Sequence, residues 1–145
     1  MNRILLFSLV LFLWSSCSYE EGPWISFKSK EERMANQWFV PLALDASEET
    51  EITAEFNRQL FLFTKEGNVK IYFYKKDEAP DSIAGTWFFS DKKKTFNWDL
   101  QADEQKLQDL DFYYPAQQAF EILRLYEDEC WLKDEAGGRL FLEPK

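Results

Sequence analysis

With 26 Asp and Glu against 17 Lys and Arg, no histidine and two cysteines, this 145-residue chain is defined first by what it excludes. The acidic excess argues against nucleic acid, where cations must replace the counterions around phosphate, and reads as a solubilising exterior that repels anionic surfaces. The lack of histidine removes a Ser-His-Asp triad, a Cys-His dyad and His-ligated zinc, and no stretch has the alternating Asp/Asn and central Gly of an EF-hand, so neither a metal nor another cofactor is expected.

The chain opens Met1-Asn2-Arg3 and runs through an apolar stretch from Ile4 to Trp14 into Ser15-Ser16-Cys17-Ser18. This is the order of a secretory leader, and the stretch is shorter than the roughly 20 residues a membrane span needs. Ordinary signal-peptidase cleavage would use the same leader. The position of Cys17, directly after two serines, instead resembles a lipobox, the processing site of bacterial lipoproteins, with Leu13 four residues before the Cys and Trp14 three before. The resemblance implies removal of residues 1–16, a diacylglyceryl thioether on Cys17 and an acylated amino group. Together these chains anchor stably where one acyl chain would not. Arg3 leaves with the leader, so the mature net charge is about −10. Ser18 stands where inner-membrane lipoproteins commonly carry Asp, and Glu20-Glu21 resembles a surface-export signal. The expected location is therefore the outer membrane of a Gram-negative bacterium, on its periplasmic face or at the cell surface.

Residues 17–24 read as the lipidated Cys and its tether, and 25–145 as one domain. Ser29 with Glu32 forms a capping box that predicts a short helix before the first strand, which begins around Trp38. Residues 44–57 are polar, a long connection with room for a short helix or edge strand. Strands are predicted over Arg58–Thr64 and Val69–Lys75, joined by Lys65-Glu66-Gly67-Asn68 with Gly in the left-handed position. A second hairpin runs Gly85–Phe89, turns at Asp91-Lys92-Lys93 and returns over Thr95–Leu100. There Phe96, Trp98 and Leu100 alternate with polar residues. Leu107, Leu110 and Phe112 suggest a further, bulged strand. Ala119–Leu125, Cys130–Leu132 and Arg139–Leu142 complete an antiparallel meander of about eight strands. A closed barrel suits it better than a sandwich, because closure removes exposed edges.

Phe27-Lys28-Ser29-Lys30 with Arg33 and Trp38 resembles the opening segment of bacterial lipocalin-like lipoproteins. The Thr64–Asn68 turn, Gly85-Thr86-Trp87 and the closing Phe120–Leu125 hairpin resemble that family as well. The resemblance implies an all-β, calycin-type barrel with a short N-terminal helix, and no particular chemistry.

Phe73, Phe96 and Trp98, with Phe61 or Phe63, are the candidate lining of a hydrophobic cup; equally, such rings can fill the barrel. Tyr72, Tyr74 and Tyr113-Tyr114-Pro115 are candidate partner or glycan contacts; equally, a helix packed over the outside would account for the two strand tyrosines. Cys130, left without a partner, reads as a buried, inert thiol. The carboxylate pairs Glu48/Glu49, Asp109/Asp111 and Asp128/Glu129 read as solvated, as does the Lys92-Lys93-Lys94 tip, and no catalytic constellation emerges. The expected function is a non-enzymatic lipoprotein, membrane-bound through Cys17, whose barrel takes a small apolar ligand or an envelope protein. The alternative is a scaffold or accessory subunit with a filled barrel.

Overall fold

The computed structural model describes Pro23 and residues 25–145; the leader, Cys17 and the rest of the tether lie outside the described residues. Helix α1 (Lys30–Met34) forms where the capping box places it: Glu32 N–H donates to Ser29 Oγ at 3.1 Å, and Ser29 N–H to Glu32 Oε2 at 2.8 Å. So short a helix is not stable by itself, and burial fixes it. Met34 and Trp38 are fully buried beneath the barrel, and the Trp38 indole donates to the Met34 carbonyl at 2.9 Å.

Eight strands follow: β1 (Gln37–Leu44), β2 (Gln59–Phe63), β3 (Asn68–Phe73), β4 (Asp81–Ser90), β5 (Thr95–Leu100), β6 (Gln117–Leu125), β7 (Cys130–Asp134) and β8 (Arg139–Pro144). Each pairs with the next and β8 pairs back onto β1, closing an all-β antiparallel barrel. Pro41, which has no N–H to donate, falls where the β1–β8 register shifts between Phe39 and Leu42. The β2–β3 turn uses Gly67 at φ 86°. Gly85 serves a different need: a methyl group there would collide with the backbone carbonyl of Asp99 on the neighbouring strand.

Alternation sends one set of residues inward. Val69, Ile71 and Phe73 are buried on β3, and Phe96, Trp98 and Leu100 on β5. Strands β2 and β5 are not neighbours, yet Phe61 meets Trp98 at 6.2 Å between ring centroids and Phe63 meets Phe96 at 5.2 Å. These contacts cross the lumen. Trp98 also packs against Phe120 of β6 at 4.9 Å. Ile122, Leu125, Cys130, Leu132, Leu140 and Leu142 line the other half, each at most 2% exposed.

Residues 107–112 do not form the expected strand. They belong to helix α2 (Glu104–Asp109) and its C-terminal turn. Asp103 caps it, accepting from Lys106 N–H at 2.8 Å, and Leu107 and Leu110, three residues apart, bury on one helical face. The long 44–57 connection contains a 3-10 turn (Thr53–Phe56) that buries Phe56, together with a bridge from Leu44 to Glu51. The 91–93 tip is not simply wet: Lys93 Nζ pairs with Glu31 at 2.7 Å, and Lys30 Nζ donates to the Lys93 carbonyl. Among the described residues, no helix is long and apolar enough to cross a membrane.

Candidate functional site

The helix end is sealed by α1, stitched to three hairpin loops through Lys65–Glu32 (2.7 Å), Lys93–Glu31 (2.7 Å) and Lys28–Glu127 (2.9 Å). The Lys65 ammonium, then the Ser29 N–H, hold the Glu32 carboxyl down to about 2.

The opposite end is the mouth, where the long β1–β2 and β5–β6 connections meet. Phe112 lies across it, 5.7 Å from Phe73 and 5.9 Å from Trp98. Tyr114 is buried beside it, touching Trp98 (5.8 Å), Phe120 (5.1 Å) and Phe56 (5.9 Å). Its hydroxyl donates to Asp134 Oδ2 at 3.1 Å, while Gly138 N–H donates to Asp134 Oδ1. Burial, then the Asp134 charge, raises the Tyr114 phenol above its ordinary range. Tyr114 is thus part of the plug, whereas Tyr113 is 45% exposed.

The three predicted lining residues take different places. Phe96 is wholly enclosed among Phe63, Trp87, Trp98 and Phe120. Phe73 reaches a cleft at the mouth, and Trp98 touches a trough on the outer wall. Tyr72 and Tyr74 stand outside the sheet, under Lys70 and Lys145 respectively.

The mouth cleft, about 360 Å³, lies between the 3-10 turn, the end of β3 and the residues after α2. Phe73 and Leu110 give it an apolar wall; Glu55, Asn57, Arg58, Lys75 and Asp111 line the rest. Left-handed backbone at Arg58 (φ 67°) and Asp111 (φ 50°) shapes two of its corners. Gln59 also lines it and is only 8% exposed. Its Nε2 donates to the Glu55 carbonyl at 2.8 Å, while its buried Oε1 has no partner among the described residues. A buried amide oxygen without a donor costs on the order of 1–3 kcal/mol, which gives a donor from this cleft something to satisfy. Gln59 had a sequence signal: it is in phase with the inward Phe61 and Phe63.

The outer trough, about 520 Å³, crosses β4, β5 and β6 and is lined by Phe88, Asn97, Trp98, Asp99, Pro115, Gln117, Gln118, Ala119 and Glu135. Phe88 was legible too, because in Trp87-Phe88-Phe89 the middle ring must face opposite to its neighbours.

Cys130 is fully buried, and burial pushes its thiol away from ionisation. Among the described residues no three His, Cys, Asp or Glu side chains are grouped to hold a metal ion.

No family model matches the chain, and no curated protein matches it. Solved structures do share the fold. A lipocalin-like protein from Bacteroides uniformis superposes with a TM-score of 0.63 at 15% identity, covering 78% of this chain and 99% of its own. An uncharacterized protein from Bacteroides eggerthii gives 0.60 at 12%, covering 77% and 98%. The fold is therefore lipocalin-like.

Proposed function

We propose that this lipocalin-like barrel is a non-catalytic binding module, held at the outer membrane by lipid on Cys17, that takes a small ligand at its mouth. The observation that carries this reading is the mouth cleft, whose wall includes the inward Phe73 and the buried Gln59, with its unpartnered Oε1. An apolar group against Phe73 and Leu110, with an N–H or O–H for Gln59 Oε1, is the chemistry it suits. Lipocalin-like architecture supports a ligand-binding role, and the cross-lumen rings favour the mouth over the axis.

Native mass spectrometry of protein purified from its host is expected to find a co-purifying small molecule, lost in Gln59→Leu and in Leu110→Arg. Retention in both variants, or no adduct in the unaltered protein, overturns the mouth reading. Anchoring is tested separately: Cys17→Ala is expected to lose lipid labelling and move to the soluble fraction, and continued membrane association would contradict it.

The ring-filled lumen also favours a second reading, an accessory subunit of the envelope that needs no ligand. Crosslinking in intact envelopes is then expected to recover one dominant partner.

A further inference from the structure

The trough on the outer wall is a separate surface from the mouth. Pairing lines up Phe88, Asn97 and Ala119 straight across β4, β5 and β6. Thr86, Asp99 and Gln117 form the next outward row, roughly 7 Å along the strands. Ala119 is small and forms a low floor between taller neighbours. Phe88 stands at one side, 53% exposed, an apolar ring that the fold leaves unburied. A second depression of about 370 Å³ adjoins the trough through Ala119 and Glu135, so the surface extends beyond one small pocket.

Acceptor oxygens dominate the polar groups. Asn97 Nδ2 is fully engaged, with Ser90 Oγ at 2.8 Å and the Phe88 carbonyl at 3.4 Å, while Gln118 Nε2 donates to the Ala119 carbonyl at 2.9 Å and Gln117 Nε2 to Asp99 Oδ1 at 3.4 Å, each glutamine keeping a second N–H. The amide oxygens of Asn97, Gln117 and Gln118 take no donor among the described residues, and the carboxylates of Asp99 and Glu135 are acceptors only. No Lys or Arg lines the trough itself, and Lys133 lines the adjoining depression. An occupant that brings donors, and can also accept from the remaining Gln117 and Gln118 N–H groups, therefore fits, and the two carboxylates disfavour an anion. The acceptors are mostly neutral amides spread in rows beside a flat ring rather than converging on one point. That arrangement suits many hydroxyl donors around a C–H face better than a single ammonium.

We propose that this outer wall of β4–β6 binds a neutral oligosaccharide, one sugar ring lying against Phe88 and its hydroxyls donating to Asn97, Gln117 and Asp99. The surface is independent of the mouth cleft, so either site can fail without the other.

The test is isothermal titration of the full mature protein with cello-, manno-, xylo-, laminari- and chito-hexaose, and with spermidine as the cationic alternative. At least one hexaose is expected to bind saturably. Phe88→Ala and Ala119→Trp, both surface changes, are each expected to weaken it at least tenfold. Phe39→Ala, an exposed ring elsewhere on the barrel, is expected to leave it unchanged. Three results overturn the proposal: no hexaose binds, the binding survives both trough variants, or spermidine binds with the same dependence on Phe88 while the sugars do not.

Discussion

The two ends of this barrel are closed by different physics. At the helix end, short hairpins meet a five-residue helix, and three exposed ion pairs tie them together around buried Met34 and Trp38. At the mouth, long connections deliver Phe56, Phe112 and Tyr114 onto the core rings, while the ion pairs Lys106–Asp81 and Arg139–Glu48 lie on the rim. Exposed pairs are screened and individually weak. Buried aromatic area is neither. The helix end therefore rests on Trp38 and the cap, with charge as an adjunct. The mouth rests on side chains borne by loops, the part of a barrel freest to vary.

The largest expected effect is at the helix end. Trp38→Ala removes a fully buried indole and its bond to Met34, at a cost of about 3–5 kcal/mol. Urea unfolding measures it. A loss under 1 kcal/mol would show that the helix end does not depend on that ring.

Next comes the plug. Phe112→Ala is expected to cost about 3 kcal/mol, with hydrogen-exchange protection falling across 101–116 and holding at α1 and β1. If protection falls equally at both ends, the ends are not separate units.

Tyr114→Phe keeps the ring and removes the hydroxyl bond to Asp134, at a cost of about 1 kcal/mol. Its sharper signature is in pH. The folded phenol is raised above its unfolded value of 10, so the unfolded chain loses its proton first. Stability is full below pH 10 and declines as pH rises beyond it. The Phe variant is expected to decline less steeply above pH 10, and equal slopes would remove Tyr114 from the account.

The smallest effects are at the helix surface. Ser29→Ala is expected to cost about 1 kcal/mol through loss of the cap. Glu32, lowered from 4.5 to about 2, contributes stability that is present above 4.5 and lost as pH falls through 2. In a pH series followed by NMR, α1 signals are expected to change within that window, and Lys65→Met is expected to move the change to higher pH. A midpoint unmoved by the Lys65 variant would mean the pair does not hold the helix.

This contrast was only half legible in the sequence. The helix end is local: Ser29 and Glu32 are three residues apart, and Gly67 sits inside its own turn. Val69-Ile71-Phe73 and Phe96-Trp98-Leu100 each carry their alternation in one strand. The mouth depends on distant partners. Leu107, Leu110 and Phe112 fit both a helical spacing of three and a strand spacing of two, and Asp103, as the N-cap, decides for the helix. Nothing within Tyr113-Tyr114 says which ring turns inward, since Asp134, twenty residues away, receives the hydroxyl. The outer trough likewise depends on the register of three strands, which no single segment encodes.

A lumen occupied by the protein's own rings sends any ligand to the mouth. Xenon enters dry apolar cavities, so a crystal pressurised with xenon tests this directly. No xenon site is expected among Phe61, Phe96, Trp98 and Phe120. An occupied site enclosed by those rings would contradict this and move the proposed binding site to the barrel axis.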